Sequence, residues 1–131
     1  MKTIQRFAPF ALLLLSACAT AGDAQPAALE GTQWRFAQID GATPKSDKAR
    51  ITFEAGRLGA TVGCNAMGSS WRAEGGRIVI DGLISTKMFC QDLAGQEMAV
   101  SQLLDASPSY RLEAGRLTLS GGGHSATLMR D

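Results

Sequence analysis

Three phrases of one design recur along this chain: FEAGRLGA at 53–60, AEGGRIVI at 73–80 and LEAGRLTL at 112–119. Each sets a glutamate, a turn with glycine and an arginine ahead of an alternating run, which is the pattern of a β-hairpin. Gly56, Gly76 and Gly115 supply the positive φ that such a tight turn requires. The alternation places Ile78 with Ile80, Tyr110 with Leu112 and Leu117 with Leu119 on shared faces. Those faces are expected to form the core, because side chains two apart on a strand point the same way.

Further strands are expected at 32–40, 50–54, 57–62, 69–74 and 125–130. One segment breaks the pattern. In QDLAGQEMAVSQLLDAS, Leu93, Val100 and Leu104 recur at helical spacing with Leu103 beside them, which predicts a helix from about Leu93 to Asp105. Asp92 is the expected N-cap, and Pro108 marks the return to strand. Many short strands with a single helix predict a mostly β fold, a small antiparallel barrel, since closure removes exposed sheet edges.

The N-terminus predicts where the domain works. Lys2 and Arg6 precede an apolar run from Phe7 to Leu15 that is too short to span a bilayer, which takes about 20 residues. The run ends in LSAC, which resembles the bacterial lipobox. That resemblance implies a signal peptide over 1–17 and lipid attachment at Cys18, the first residue of the mature chain. More than one acyl chain is needed for stable anchoring, and a lipobox cysteine carries two or three. Ala19 follows where an aspartate usually retains such proteins at the inner membrane, which favours the outer membrane and a periplasm-facing domain in a Gram-negative cell. Residues 18–28 are rich in alanine and small polar residues and read as a flexible tether. Removing 1–17 takes two of the thirteen basic residues and none of the twelve acidic ones, leaving a net charge of −1. Nucleic acid is therefore not an expected partner.

The remaining 29–131 amounts to one domain. It holds two cysteines, Cys64 and Cys90, and two cysteines in an oxidising compartment usually pair. Such a bridge, closing a loop of 26 residues, would stabilise the fold by about 3.5 kcal/mol on the loop-entropy estimate. Two free buried thiols or a redox pair are the alternatives, although the spacing lacks the CxxC arrangement of a redox thiol.

Five segments taken in order, LEGTQWRFAQIDG (29–41), GCN (63–65), STKMFC (85–90), QEMAVSQLL (96–104) and SYRLEAGRLTLSGGG (109–123), resemble the META domain of HslJ-like lipoproteins. The resemblance covers nearly the whole domain. It matches Trp34 to the family's early tryptophan, Cys64 and Asn65 to its GCN, and Thr86, Met88 and Cys90 to its TxMxC element. It implies a small antiparallel β structure with one helix, and a heat-shock-associated envelope lipoprotein linked to drug tolerance. The chain departs from the family after GCN, where Ala66 and Met67 replace a common basic and aromatic pair.

Read singly, Trp34 is expected in the core and Asn65 in a turn, with ligand binding the secondary role of each. Trp71 can face either way. Met67, Met88, Met98 and Met129 are expected as core gap-fillers, since no metal-ligand spacing stands out. His124, in GGGHSA, reads as a turn residue with no partner nameable from the sequence. No GxxxxGK[ST], HExxH or GxSxG string occurs, and no cofactor is expected. The expected function is a non-enzymatic, lipid-anchored binding or structural module in envelope stress, with an unidentified envelope protein or small molecule as partner. The alternative is an inhibitor of lysozyme-like lytic enzymes.

Overall fold

The computed structural model describes residues 28–131. The expected signal peptide, Cys18 and all but the last residue of the tether lie outside them. Eight strands run in chain order: β1 (Thr32–Ile39), β2 (Arg50–Glu54), β3 (Arg57–Thr61), β4 (Ala66–Glu74), β5 (Arg77–Ser85), β6 (Ser109–Glu113), β7 (Arg116–Gly121) and β8 (His124–Arg130). One helix, α1 (Ala94–Asp105), stands between β5 and β6. Every strand pairs antiparallel with its neighbours in sequence, and β8 returns to β1, so the sheet closes as a barrel. The mostly β fold with one helix is as expected from the hairpin phrases.

Those phrases form the three turns at one end of the barrel. Glu54 pairs with Arg57, Glu74 with Arg77 and Glu113 with Arg116. Gly56, Gly76 and Gly115 all have positive φ, and in the last turn Ala114 is drawn into the same region at φ 46°. In an up-and-down barrel the remaining connections collect at the opposite end: the loops after β1 and β3, the long β5–α1–β6 excursion and the β7–β8 turn. The chain enters at the hairpin end, where Gly31 N–H bonds to Phe53 O.

Alternate residues fill the interior. Trp34, Ile51, Phe53, Ile78, Leu117, Leu119 and Leu128 are fully buried, and Phe53 packs edge-on against Trp71 with ring centroids 5.0 Å apart. Trp71 is thus a core residue, with Nε1–H donating to Glu54 O at the hairpin end. Helix α1 lays Ala99, Val100, Leu103 and Leu104 against the barrel. It packs against β5, β7, β8 and β1, while β5 and β6, the strands it connects, share only the Arg77–Ser109 pair. Ser107 takes a left-handed φ of 50° just past the helix. There its Oγ accepts from Ile80 N–H and its carbonyl from Arg77 Nε–H, tying the helix end to β5.

Two expectations are corrected. The helix begins at Ala94 with Leu93 in the capping position and no side-chain cap, so Asp92 does not serve as N-cap. Of the four methionines expected in the core, only Met67 is buried; Met88 and Met98 are 60% and 62% exposed, and Met129 36%. Apart from Met67, branched and aromatic side chains fill the barrel interior, and the other methionines stay at the surface.

The two faces of α1 should therefore respond differently to truncation. Leu104→Ala is expected to lower the unfolding free energy by about 2–5 kcal/mol. Met98→Ala should change it by less than about 0.5 kcal/mol. Urea unfolding of both variants checks this, and equal losses would be inconsistent with the helix seating described.

Candidate functional site

The loop end of the barrel holds the residues that the sequence singled out, beginning with the turn after β3. Gly63 has φ 112°, and a β-carbon there would sit 2.6 Å from Ser46 Oγ, so glycine is required on both grounds. The next residue, Cys64, is bonded to Cys90 with Cα atoms 6.1 Å apart, as expected from the cysteine count. The bridge pins this turn to the segment 86–90, a strap that runs from the end of β5 to the start of α1 without regular structure.

Asn65 organises the strap. It is 4% exposed, and it lacks the left-handed backbone expected of a turn asparagine, a role that falls to Gly63. Its Oδ1 accepts from Met88 N–H at 2.7 Å and from Thr86 Oγ1–H at 2.8 Å. Its Nδ2 donates to Met88 O and to Glu97 Oε2, both at 2.8 Å. Its main-chain N–H donates to Glu97 Oε1 at 2.9 Å. One amide side chain thus presents Met88 with the donor and acceptor that a neighbouring strand would offer, while one carboxylate on α1 holds that amide in place. Thr86 completes the set by accepting from Ala66 N–H at 3.1 Å. Asn65, Thr86, Met88 and the disulfide form one cluster. Trp34 lies apart, near the hairpin end, fully buried with Nε1–H donating to Thr32 Oγ1.

With its main chain held inward, the strap turns its side chains out. Phe89 is 82% exposed and Ile84, just before the strap, 66%. Strap and helix flank a groove of about 530 Å³ with Asn65 in its lining and Met88, Phe89, Lys87 and Met98 on its walls.

A second cluster lies at the same end. His124 opens β8, and its Nδ1 and Nε2 lie 2.7 Å from Asp40 Oδ2 and Gln102 Oε1. His124 follows the Gly122–Gly123 turn, as expected, and the structure supplies the partners the sequence could not name: the ring braces the loop after β1 against α1. The Asp40 carboxyl is held below its ordinary value, first by the Ser125 N–H donated to it and then by the His124 hydrogen bond. The Gln102 amide can serve either form of the ring, accepting from Nε2–H through its oxygen or, turned over, donating to a bare Nε2. Among the described residues no group of three or more His, Cys, Asp or Glu side chains could hold a metal ion.

Sequence reasoning missed Glu97, Asp40 and Gln102. Glu97 lies 32 residues from Asn65, across the β4–β5 hairpin and onto α1, and Asp40 lies 84 from His124, a pair that only closure of β8 onto β1 brings together.

The sequence model of the META domain family matches residues 27–131. No curated protein matches the chain significantly. Two solved structures, both determined by NMR, share its fold. One has a TM-score of 0.73 at 22% identity, covering 82% of this chain and 95% of the other. The second, a protein from Burkholderia xenovorans, has a TM-score of 0.58 at 20% identity, covering 89% and 96%.

The Asn65 cluster makes a specific prediction. Asn65→Ala leaves the Met88 main chain unpaired and is expected to cost about 3 kcal/mol, at roughly 1–3 kcal/mol per orphaned group. Asn65→Asp should cost more at pH 7, because the introduced carboxylate faces Glu97 and Met88 O. Like charge raises the pKa of that carboxyl in the folded state, so the excess loss should shrink as pH falls and the group protonates. Unfolding at pH 7 and pH 5 checks the sign; an equal loss at both would contradict the arrangement.

Proposed function

The chain belongs to the META domain family, and on that footing we propose that it is a non-enzymatic binding module of the bacterial cell envelope, held to the membrane by lipid on Cys18. The observation that carries the binding reading is the braced apolar groove at the loop end. Monomeric soluble proteins seldom leave large apolar side chains clustered on the surface without a use for them. Here the disulfide and the Asn65 hub hold the segment that displays them.

Catalysis is the weaker reading. Cys64 and Cys90 are spent on a disulfide, and both ring nitrogens of His124 are occupied by residues that hold it as a brace. Anchoring follows from the LSAC string at 15–18, the short leucine run and the tether. Among the described residues no helix is long and apolar enough to cross a membrane, so attachment by a helix would have to come from elsewhere in the chain. A role in heat or drug tolerance of the envelope follows the family resemblance to HslJ-like lipoproteins.

The test uses the full chain in a Gram-negative host fed an alkyne-tagged palmitate. Wild-type chain is expected to take up the label and sediment with outer membranes, and Cys18→Ser to do neither. In a strain lacking the gene, tolerance to heat or to envelope-crossing drugs should return with wild-type or His124→Ala chain, but not with Cys18→Ser. Labelling that survives Cys18→Ser would refute the anchor. Loss of complementation by a stably folded His124→Ala chain would reopen catalysis.

A further inference from the structure

We infer that the groove between the strap and α1 receives an extended peptide segment of a partner protein, one that carries apolar side chains beside a carboxylate. This rests on the binding-module reading above and specifies its ligand.

The main chain argues for an extended segment. Thr86 N–H is taken by Ala66 O, and both main-chain groups of Met88 by the Asn65 side chain. The main-chain groups of Lys87 and Phe89 have no hydrogen bond among the described residues. A peptide running along the strap would find those donors and acceptors free and could bond to them as an added strand does. Apolar side chains of the peptide would then meet Met88, Phe89 and Met98, and methionine adapts its shape readily to what it touches.

Charge selects the occupant. Two charged side chains line the groove, Lys87 and Glu97. The Glu97 carboxylate is consumed by Asn65, whereas Lys87 has no ion-pair partner among the described residues. The groove therefore offers one uncommitted positive charge beside an apolar wall, which a carboxylate complements. The same lysine disfavours a second copy of this chain. Antiparallel pairing of 85–89 with itself centres on Lys87 and sets two ammonium groups face to face. An edge lysine is a recognised guard against self-pairing.

Where the chain enters disfavours the lipid surface. Residue 28 leads into the hairpin end, while the strap lies at the other end of strands such as the eight-residue β1. At about 3.3 Å per residue that separation is roughly 20–25 Å. A domain tethered to the membrane through residues 18–28 can hold this groove toward the periplasm, where protein segments are within reach.

The experiment selects a phage-displayed random nonapeptide library on the full chain, purified in oxidised form from an exporting host. Enriched peptides are expected to combine apolar residues with Asp or Glu. Their Kd should rise about tenfold or more, at least 1.4 kcal/mol, with Phe89→Ser or Met98→Ser, and Lys87→Glu should reverse the preference toward Lys-bearing peptides. Arg116→Ala at the hairpin end should leave binding unchanged, and thermal melts confirm that each variant folds. Selected peptides insensitive to the groove variants would overturn this inference while leaving the binding-module reading intact. Failure to enrich any peptide would overturn it too. So would concentration-dependent dimers in sedimentation, or binding to phosphatidylglycerol vesicles, if either is abolished by Phe89→Ser; the occupant would then be a second copy or lipid.

Discussion

The loop end of this barrel depends on one side-chain amide. Asn65 does for the strap what a ninth strand would do, pairing both main-chain groups of Met88 while Glu97 and Thr86 hold the amide in register. A buried amide is costly unless all its hydrogen bonds are made, and here they are made to groups that would otherwise be orphans themselves. Satisfied on both sides, it fixes where the strap lies. The neighbouring disulfide limits how far the same segment can move, so the apolar side chains it displays are held rather than frayed.

The two ends of the molecule are built for different tasks. At one end the hairpins turn in two residues each, leaving little backbone to vary. At the other, the long β5–α1–β6 excursion packs its helix on β1, β5, β7 and β8 and lends its outer face to the groove. Chain entry at the hairpin end leaves the loop end unobstructed.

Local features of the chain carried most of the architecture. Glycine-bearing turns and period-two alternation specify neighbour-to-neighbour pairing, and an up-and-down barrel consists of little else. The disulfide was legible because Cys64 and Cys90 are the two cysteines within the domain. The site was less so. Asn65 looked like a turn residue because a side chain that replaces a strand leaves no periodic trace, and Glu97 like an ordinary polar residue on a helix. The methionines misled for a related reason: hydrophobicity alone cannot separate an apolar side chain that fills a core from one left at the surface. His124 meets Asp40 only through closure of β8 onto β1, a contact that no local pattern announces.

The most direct measurement is amide hydrogen exchange at Met88 in the oxidised protein. Met88 belongs to no strand or helix, and its N–H bonds to a side chain, so its protection reports the Asn65 clasp and nothing else. If the clasp sets the strap, Met88 exchanges as slowly as amides of the barrel core, while the neighbouring Lys87 and Phe89 exchange near the rate of an open chain. Fast exchange at all three would contradict it, and the groove would lose the fixed wall on which the proposed binding rests.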